Sequence, residues 1–363
     1  IAALHNGLNP SGYGGLKLML NLHPQGGTDA YNKYWPAFAA MIGHSTEISP
    51  GGSNYSKIVP CNWGNQTIAA ASFTAFMDHA ELADVDGWWT DFDYTDCLGA
   101  PTASTPSSWP GMAWSNEVFA GHQRVRGRRP LVLARSGGLG AHRNPVSFSG
   151  DTSQTQEILA WQINVTQRGA NVLSAAWSHD VGGFMCGSAA TCNPINKSDC
   201  RRVTQDMCSG DPHMWSNAVL YLRWIQAAVT FPIFRTHASE WGIPVMERRI
   251  WEFPANVSTL MGDAMRLRSA LRPYLYSEAR HAYDSGEAPV HPLWYAYPEE
   301  ERAYSYTQQY AFGSVLLSSP VWAVNETARG PAGVTGSFKE TWLPPASGGS
   351  GVWCDFNGSS CVD

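Results

Sequence analysis

Short apolar runs alternate with amphipathic segments along most of the chain. The runs cover residues 16–22, 85–91, 130–135, 172–177, 229–234 and 289–294. Between them, apolar residues recur every three or four positions, which is the period of a helix that buries one face. Strands that alternate with helices in this way are typical of a parallel sheet with crossover helices. The pattern therefore predicts an α/β fold built from six such units.

Two of the intervening segments have the clearest helical signals. Residues 154–167 follow Asp151-Thr-Ser, which can cap the start of a helix. Residues 260–283 are followed by Gly286, a residue type that often ends a helix. One apolar stripe of this second helix is predicted to consist of Leu260, Ala264, Leu267, Leu271 and Leu275.

The pattern changes near residue 300. The following residues form Tyr-, Gly- and Pro-rich runs without long helical segments, and such runs are typical of strands joined by turns. We therefore predict that residues 1–300 form the α/β domain and that residues 301–363 begin a β-rich C-terminal domain.

Composition excludes several classes of protein. The 363 residues include 44% hydrophobic and only 15% charged residues, so the chain can bury a sizeable core and is not disordered. The formal net charge is -6 and there is no basic run, which argues against a nucleic-acid partner. The chain contains no run of 18 apolar residues, so no membrane span is predicted. These features leave the oligomeric state open.

Aromatic residues are abundant, with 16 Trp, 14 Tyr and 13 Phe. Most of them are expected to belong to the core. The remainder can present flat faces on which the apolar side of a sugar ring can stack. The aromatic content therefore favours a carbohydrate ligand without establishing one.

Cysteines and glycosylation signals point to an oxidising compartment. Four of the eight Cys fall within residues 186–208, and no CxxC pair occurs, so a disulfide-stapled loop is favoured over a zinc site. Seven N-x-[ST] sequons are present, at Asn54, Asn65, Asn164, Asn196, Asn256, Asn325 and Asn357. We expect a eukaryotic secretory location: secreted, lysosomal or the endoplasmic reticulum lumen. The N-terminus resembles no signal peptide, so the chain is expected to be a mature product or part of a longer one.

Polar residues follow the predicted strands, at the edge where parallel α/β proteins carry their working groups. They are His23, Asp91, Asp93, Arg135, Asp151, His179, Asp180, Arg235 and His237. Such a set suits a polyhydroxylated ligand, and paired carboxylates are what cleavage of a glycosidic bond requires. Each carboxylate could instead have a structural role. Asp91, Asp93 and Asp151 could each cap the N-terminus of a helix or accept a hydrogen bond within a loop.

Other chemistries fit the sequence less well. DFDYT at 91–95 matches the pattern of aspartate-nucleophile phosphatases, but the chain has only five Lys, none in the context that those enzymes need. The same segment is unsuited to calcium because Asp96 stands where Gly is required. His179 and Asp180 lack a third ligand for a metal. The residues therefore do not favour a metal site.

Taken in order, the motifs resemble those of glycoside hydrolase family 31, a group of retaining α-glucosidases and related enzymes. LNLHP at 20–24 resembles the third barrel strand of the family, DGWWTD at 86–91 the fourth, and RS at 135–136 the fifth. SGD at 149–151 resembles the acid/base loop, WSHDVGGF at 177–184 the sixth strand, and FRTH at 234–237 the seventh. RPYLY at 272–276, PVHPL at 289–293 and QYAFG at 309–313 continue the resemblance.

The resemblance implies a TIM (β/α)8 barrel that lacks its first two strands, followed by the start of a β-rich C-terminal domain. It implies an exo-acting α-glycosidase, in particular an α-glucosidase, that acts on an oligosaccharide or glycoside by double displacement. Asp91 would be the nucleophile and Asp151 the general acid, with their carboxyl groups about 5–5.5 Å apart. The substrate-binding residues would be Trp89, Arg135, Trp177, His179, Asp180 and His237. The resemblance implies no metal and no cofactor.

The sequence also departs from the family pattern. Asp93 and Tyr94 stand where the family commonly has Asn and Glu, which predicts a divergent subgroup. Residues 185–211 look like a Cys-rich insertion after the sixth strand. Because two strands are missing, a non-catalytic carbohydrate-binding or degenerate fragment is the alternative, and the phosphatase is the third hypothesis.

Overall fold

The computed structural model describes residues 16–23, 32–44, 62–79, 82, 85–91, 111–135, 138–143, 146–184, 218–238, 248–323, 338–345, 352–356 and 360–362. The chain divides into two compact units, Ile1–Phe148 and Ser149–Asp363. Asp93, Tyr94 and the predicted insertion at 185–211 lie outside the described residues.

The first unit contains a parallel sheet of four strands in chain order. They are β1 (Met19–Leu22), β2 (Gly87–Thr90), β3 (Val132–Arg135) and β4 (Val146–Phe148). The first three were predicted from their apolar runs. Strand β4 was not predicted, because its three residues are too few to form a recognisable apolar run. The helices of this unit are α1 (Trp35–Met41), α2 (Gln66–Ser72), which continues as a π-helix over Phe73–Met77, and α3 (Gly111–Val125).

Strand β2 faces two different environments. Trp88 is buried in a cluster that includes Phe119 and Val132, and aromatic edge-to-face contacts join Phe119 to Trp63 at 5.0 Å. Because side chains alternate along a strand, Trp89 and Asp91 share the opposite face. The strand thus anchors one side in the core and presents Asp91 at its carboxyl end.

The second unit begins with the loop that carries Asp151. Helix α4 (Gln156–Arg168) starts at Thr155, whose Oγ1 accepts a hydrogen bond from the Ile158 N–H at 3.1 Å. Thr155 is therefore the residue that caps this helix, and the capping role considered for Asp151-Thr-Ser is wrong. Asp151 lies in the preceding loop and is exposed. Strand β5 (Ala176–Ser178) and helix α5 (Ala218–Ala228) follow.

The long helix predicted over 260–283 is two helices, α6 (Ala255–Ala270) and α7 (Arg272–Ser285). They are separated at Leu271 because Pro273 has no N–H for the helical ladder. The predicted stripe is correct in part: Ala264 and Leu271 are buried and Leu275 packs against the same core. Leu260 and Leu267 are exposed, and Val257 and Met261 are buried instead. Gly286 ends α7 in the left-handed conformation, with φ of 80°, as predicted.

Two predicted strands differ from the parallel pattern. Residues 229–234 form turns and bends, and the parallel pairing there is a single bridge from Val181 to Thr236. Pro232 within that run cannot donate to a ladder. The run at 289–294 does contain β6 (Val290–Pro292), but β6 pairs antiparallel with β7 (Tyr310–Phe312), which pairs with β8 (Leu316–Ser318).

Strand β6 therefore belongs to the C-terminal β region rather than to a sixth parallel unit. A short helix, α8 (Glu301–Ser305), separates β6 from β7. A hairpin of β9 (Trp353–Cys354) and β10 (Cys361–Val362) follows, closed by a disulfide between Cys354 and Cys361. The predicted domain boundary at residue 300 stays a prediction.

The core of the second unit is formed by α4, α5 and α6. Its fully buried side chains include Leu159, Ile163, Trp224, Ile225 and Met261. Among the residues that the structure describes, no helix is both long and apolar enough to cross a membrane. Within the same residues, no group of three or more His, Cys, Asp or Glu side chains is arranged to hold a metal ion.

Candidate active site

Asp91 follows β2 and is 5% exposed. Its backbone N–H donates to the Leu22 carbonyl at 2.9 Å, which continues the pairing of β2 with β1. Arg135 Nε, at the end of β3, donates to Oδ1 at 2.5 Å, and Asn21 Nδ2, on β1, donates to Oδ2 at 3.0 Å. His23 Nε2 lies 3.5 Å from the same Oδ2. Three elements of one sheet therefore fix the orientation of this carboxylate.

The surroundings of Asp91 suit an anion. A guanidinium and an amide N–H both donate to its oxygens, and an ionised carboxylate is the form that accepts on both oxygens. The Arg135 guanidinium lies over the Phe148 ring at 5.4 Å, and Trp89 meets that ring edge-to-face at 5.3 Å. Trp89, Asp91 and Arg135 thus form one cluster in the first unit. Sequence reasoning missed Asn21, although its position on β1, three residues before Pro24, lies within the LNLHP motif.

In the second unit, the loop of Asp151 is fixed on both sides of that residue. The Ser149 N–H donates to the Ser178 carbonyl at 3.2 Å, and the Phe184 N–H donates to the Thr152 carbonyl at 2.7 Å. Both partners belong to the segment that contains the WSHDVGGF motif. Backbone hydrogen bonds therefore join the loop of the SGD motif to the WSHDVGGF motif, although the two are separated in the sequence.

Asp180 is fully buried, and its Oδ1 accepts a hydrogen bond from Arg235 Nη2. Arg235 Nε also donates to Ser178 Oγ at 3.2 Å. His237, two residues beyond Arg235, is half-buried, and its ring lies 5.1 Å from that of Phe184. Asp180 thus has an arginine partner from the FRTH motif, whereas His237 retains access to solvent.

His179 is fully buried, with its ring 4.9 Å from Phe231 and its Nε2 bonded to Thr166 Oγ1. Burial, reinforced by the charge of Arg235, lowers the pKa of His179 to about 3. Trp177 is half-buried, with its ring 6.3 Å from His179. In this position His179 supports the loop from within the core, and its predicted contact with substrate stays a prediction.

The low pKa of His179 predicts an acid-sensitive fold. The folded pKa lies below the unfolded value of 6.5, so the unfolded chain binds more protons between pH 6.5 and 3, and stability falls as pH falls through that window. We expect His179 to contribute about 2 kcal/mol of stability loss between pH 7 and pH 5. Urea unfolding at both pH values should show this loss in the wild type and not in His179→Gln.

The control for that measurement is His281→Gln. The His281 side chain is 54% exposed, so its removal should leave the pH dependence of unfolding close to that of the wild type. An unchanged pH dependence in His179→Gln would contradict the prediction.

A parallel sheet with a carboxylate at a strand end, followed by an antiparallel sheet, is the arrangement expected of part of an α/β barrel with an appended β domain. The model of the glycosyl hydrolases family 31 TIM-barrel domain matches residues 21–278, and that of the family 31 C-terminal domain matches residues 286–361. The chain belongs to glycosyl hydrolase family 31. The resemblance stated from the motifs is thereby confirmed, as is the fold class.

Several proteins are similar to the chain. Neutral alpha-glucosidase C of Mus musculus is 30% identical over 204 residues, which are 55% of this chain and 19% of that protein. An alpha-xylosidase of Saccharolobus solfataricus is 28% identical over 205 residues, which are 56% of this chain and 24% of that protein. A Flavobacterium johnsoniae family 31 dextranase, complexed with glucose, has a TM-score of 0.69 and 21% identity, covering 96% of this chain and 41% of that chain. The chain thus spans a quarter or less of the mouse and Saccharolobus solfataricus proteins and 41% of the dextranase chain.

Proposed function

We propose that the chain carries the catalytic residues of a retaining, exo-acting α-glycosidase that acts as an α-glucosidase on a terminal α-linked sugar. The observation that carries the proposal is the fixed carboxylate of Asp91. It is buried at a strand end, and Arg135 and Asn21 donate to its two oxygens. Donors to both oxygens favour the ionised form of the carboxylate and hold it for attack on an anomeric carbon.

In the proposed mechanism, Asp91 attacks the anomeric carbon while Asp151 protonates the departing glycosidic oxygen. The bond from carbon to the leaving oxygen breaks as the bond to Asp91 forms. Asp151, now ionised, removes a proton from water, which attacks the same carbon and releases Asp91. The exposure of Asp151 supports this role, because a leaving group and then a water molecule must be able to reach its carboxyl group.

The remaining predicted residues have two kinds of environment. His237 and Phe184 combine a polar edge with an aromatic face at 5.1 Å, which suits a sugar hydroxyl and the apolar face of its ring. Asp180 is fully buried against Arg235, so we propose that it acts on the sugar through Arg235. Trp89 contacts Phe148 within the first unit and Trp177 contacts His179 within the second, and we propose that both tryptophans contact the sugar.

Covalent trapping tests this proposal. A 5-fluoro-α-glucosyl fluoride should add one fluoroglucosyl group, and peptide mapping should place it on Asp91. The matching 5-fluoro-α-xylosyl fluoride should label more slowly if the enzyme is a glucosidase, and faster if it is a xylosidase like the Saccharolobus solfataricus relative. Sugar binding without any labelling would favour the non-catalytic alternative. Release of phosphate that requires Mg²⁺ would instead favour the phosphatase.

We also propose a secretory location. The disulfide between Cys354 and Cys361 supports it, because such bonds persist in oxidising compartments. Asn65 and Asn256, each the first residue of a sequon, are exposed and so offer room for a glycan. In the sequon of Asn164, by contrast, Thr166 is buried and bonded to His179.

A further inference from the structure

Arg248 connects two loops that carry predicted site residues. Its Nη2 donates to the carbonyls of Gly182 at 2.8 Å and Gly183 at 2.6 Å, and its Nε donates to the carbonyl of His237 at 3.2 Å. One guanidinium therefore binds three backbone carbonyls. Two lie in the WSHDVGGF motif, and the third belongs to His237 of the FRTH motif.

The two glycines are shaped for this contact. Gly182 and Gly183 have φ of 101° and 83°, a region that favours glycine. A Cβ on Gly182 would lie 2.6 Å from Arg248 Nε. The Gly183 N–H donates to the Asp180 carbonyl at 2.7 Å, which closes a tight turn directly after Asp180.

The same turn is packed against the loop of Asp151. A Cβ on Gly183 would lie 2.6 Å from the Gln154 backbone nitrogen and 2.9 Å from the Ser153 carbonyl carbon. The next residue, Phe184, donates its N–H to the Thr152 carbonyl. A shift of the turn at 180–184 would therefore be passed to the residues directly after Asp151.

Arg248 is itself held by the core. Its guanidinium lies 4.9 Å from the ring of Tyr221, and the Tyr221 hydroxyl donates to the Arg248 carbonyl at 3.0 Å. Tyr221 is fully buried on α5. Arg248 is thus held by a buried residue of a core helix, and such support is what a residue that fixes loop geometry requires.

We propose that Arg248 is a positioning residue for the reaction: it holds the turn at 180–184 and thereby the loop of Asp151. The proposal rests on the proposed function, in which Asp151 is the general acid. Arg248 donates to backbone carbonyls and moves no proton. It acts through geometry, and a displacement of about 1 Å in a catalytic group can lower a rate about 10²-fold.

The test compares two leaving groups in Arg248→Lys, which replaces the planar fork by a single ammonium. An α-linked disaccharide needs its leaving oxygen protonated, whereas an α-glucosyl fluoride does not. If Asp151 is displaced, kcat/KM for the disaccharide should fall by roughly 30- to 100-fold, with a much smaller fall for the fluoride. Equal losses for both substrates would overturn the proposal, since a merely structural defect would affect both alike.

Arg268→Lys is the matched control. Arg268 also donates to three backbone carbonyls, those of Val229 at 2.8 Å, Phe231 at 2.7 Å and Pro232 at 2.8 Å. This variant loses comparable hydrogen bonds in the same unit and should show no difference between the two leaving groups. A selective loss for the disaccharide in Arg268→Lys would contradict the proposal.

Asp151→Ala separates the proposal from the proposed function. If Asp151→Ala lowers kcat/KM equally for the disaccharide and the fluoride, the assignment of the general acid fails. If it is selective while a folded Arg248→Lys is not, only the positioning role fails. Arg248→Gln retains an N–H donor and serves as a second variant, and a loss of the folded state in both, measured by circular dichroism, would make Arg248 a stability element and overturn the proposal.

Discussion

Asp91→Asn should lower kcat for an α-glucoside on the order of 10⁴-fold, the largest effect that we expect from any single change. The amide is almost the same size as the carboxylate but is a poor nucleophile, so no glycosyl-enzyme forms. Asn21 and Arg135 remain in place on their strands, so the pocket should persist while the chemistry stops. Initial rates measure the loss of turnover. Intact-protein mass spectrometry after incubation with 5-fluoro-α-glucosyl fluoride measures the absence of the glycosyl-enzyme.

Asp86→Asn is the control for this experiment. Asp86 lies at the other end of the same strand, where its Oδ2 accepts from the Leu18 N–H at 2.8 Å and its Oδ1 pairs with Lys17 at 3.0 Å. The Lys17 side chain is 76% exposed, so the ion pair contributes little, and kcat should stay within about threefold of the wild type. Activity that survives Asp91→Asn, or label found elsewhere than on Asp91, would refute the nucleophile.

The sequence predicts the first unit best where local signals agree with the final packing. Trp88, Trp89 and Asp91 lie in a run whose apolar residues, strand length and terminal carboxylate all indicate one strand. Strand β4 is harder to predict because its three residues are too few to show the apolar pattern of a strand. The antiparallel pairing of β6 depends on Tyr310 and Phe312, which are about twenty residues away.

The residues of the candidate site also differ in whether the sequence beside them predicts their role. Asp91 and Asp151 could be predicted because the residues on either side of them form motifs. Arg248 could not, because its partners are backbone carbonyls of Gly182, Gly183 and His237, which any residue type supplies. A role that depends on distant main-chain atoms leaves no pattern in the residues beside it. The burial of His179 is likewise set by Thr166 and Phe231, not by its neighbours in the chain.

Asp151→Ala should produce a loss that depends on pH. Its removal takes away the proton donor, so hydrolysis of a disaccharide should fall by about 10²- to 10⁴-fold. The alkaline limb of the profile of kcat/KM against pH should also flatten, because that limb reports the essential acid of the free enzyme. Glu157→Gln, which removes an exposed carboxylate from the first turn of α4, is the control and should leave both the rate and the profile unchanged.

Azide provides a second measurement on Asp151→Ala. The variant can still form the glycosyl-enzyme on Asp91 from an activated aryl glucoside, but no base remains to activate water. Azide needs no base, so it should accelerate turnover and give an α-glucosyl azide, with the configuration retained because both displacements occur at one carbon. A β-azide would show that the first displacement is absent and that the enzyme inverts. No rescue by azide, together with an unchanged pH profile, would remove Asp151 from the mechanism and leave its exposed loop without a catalytic role.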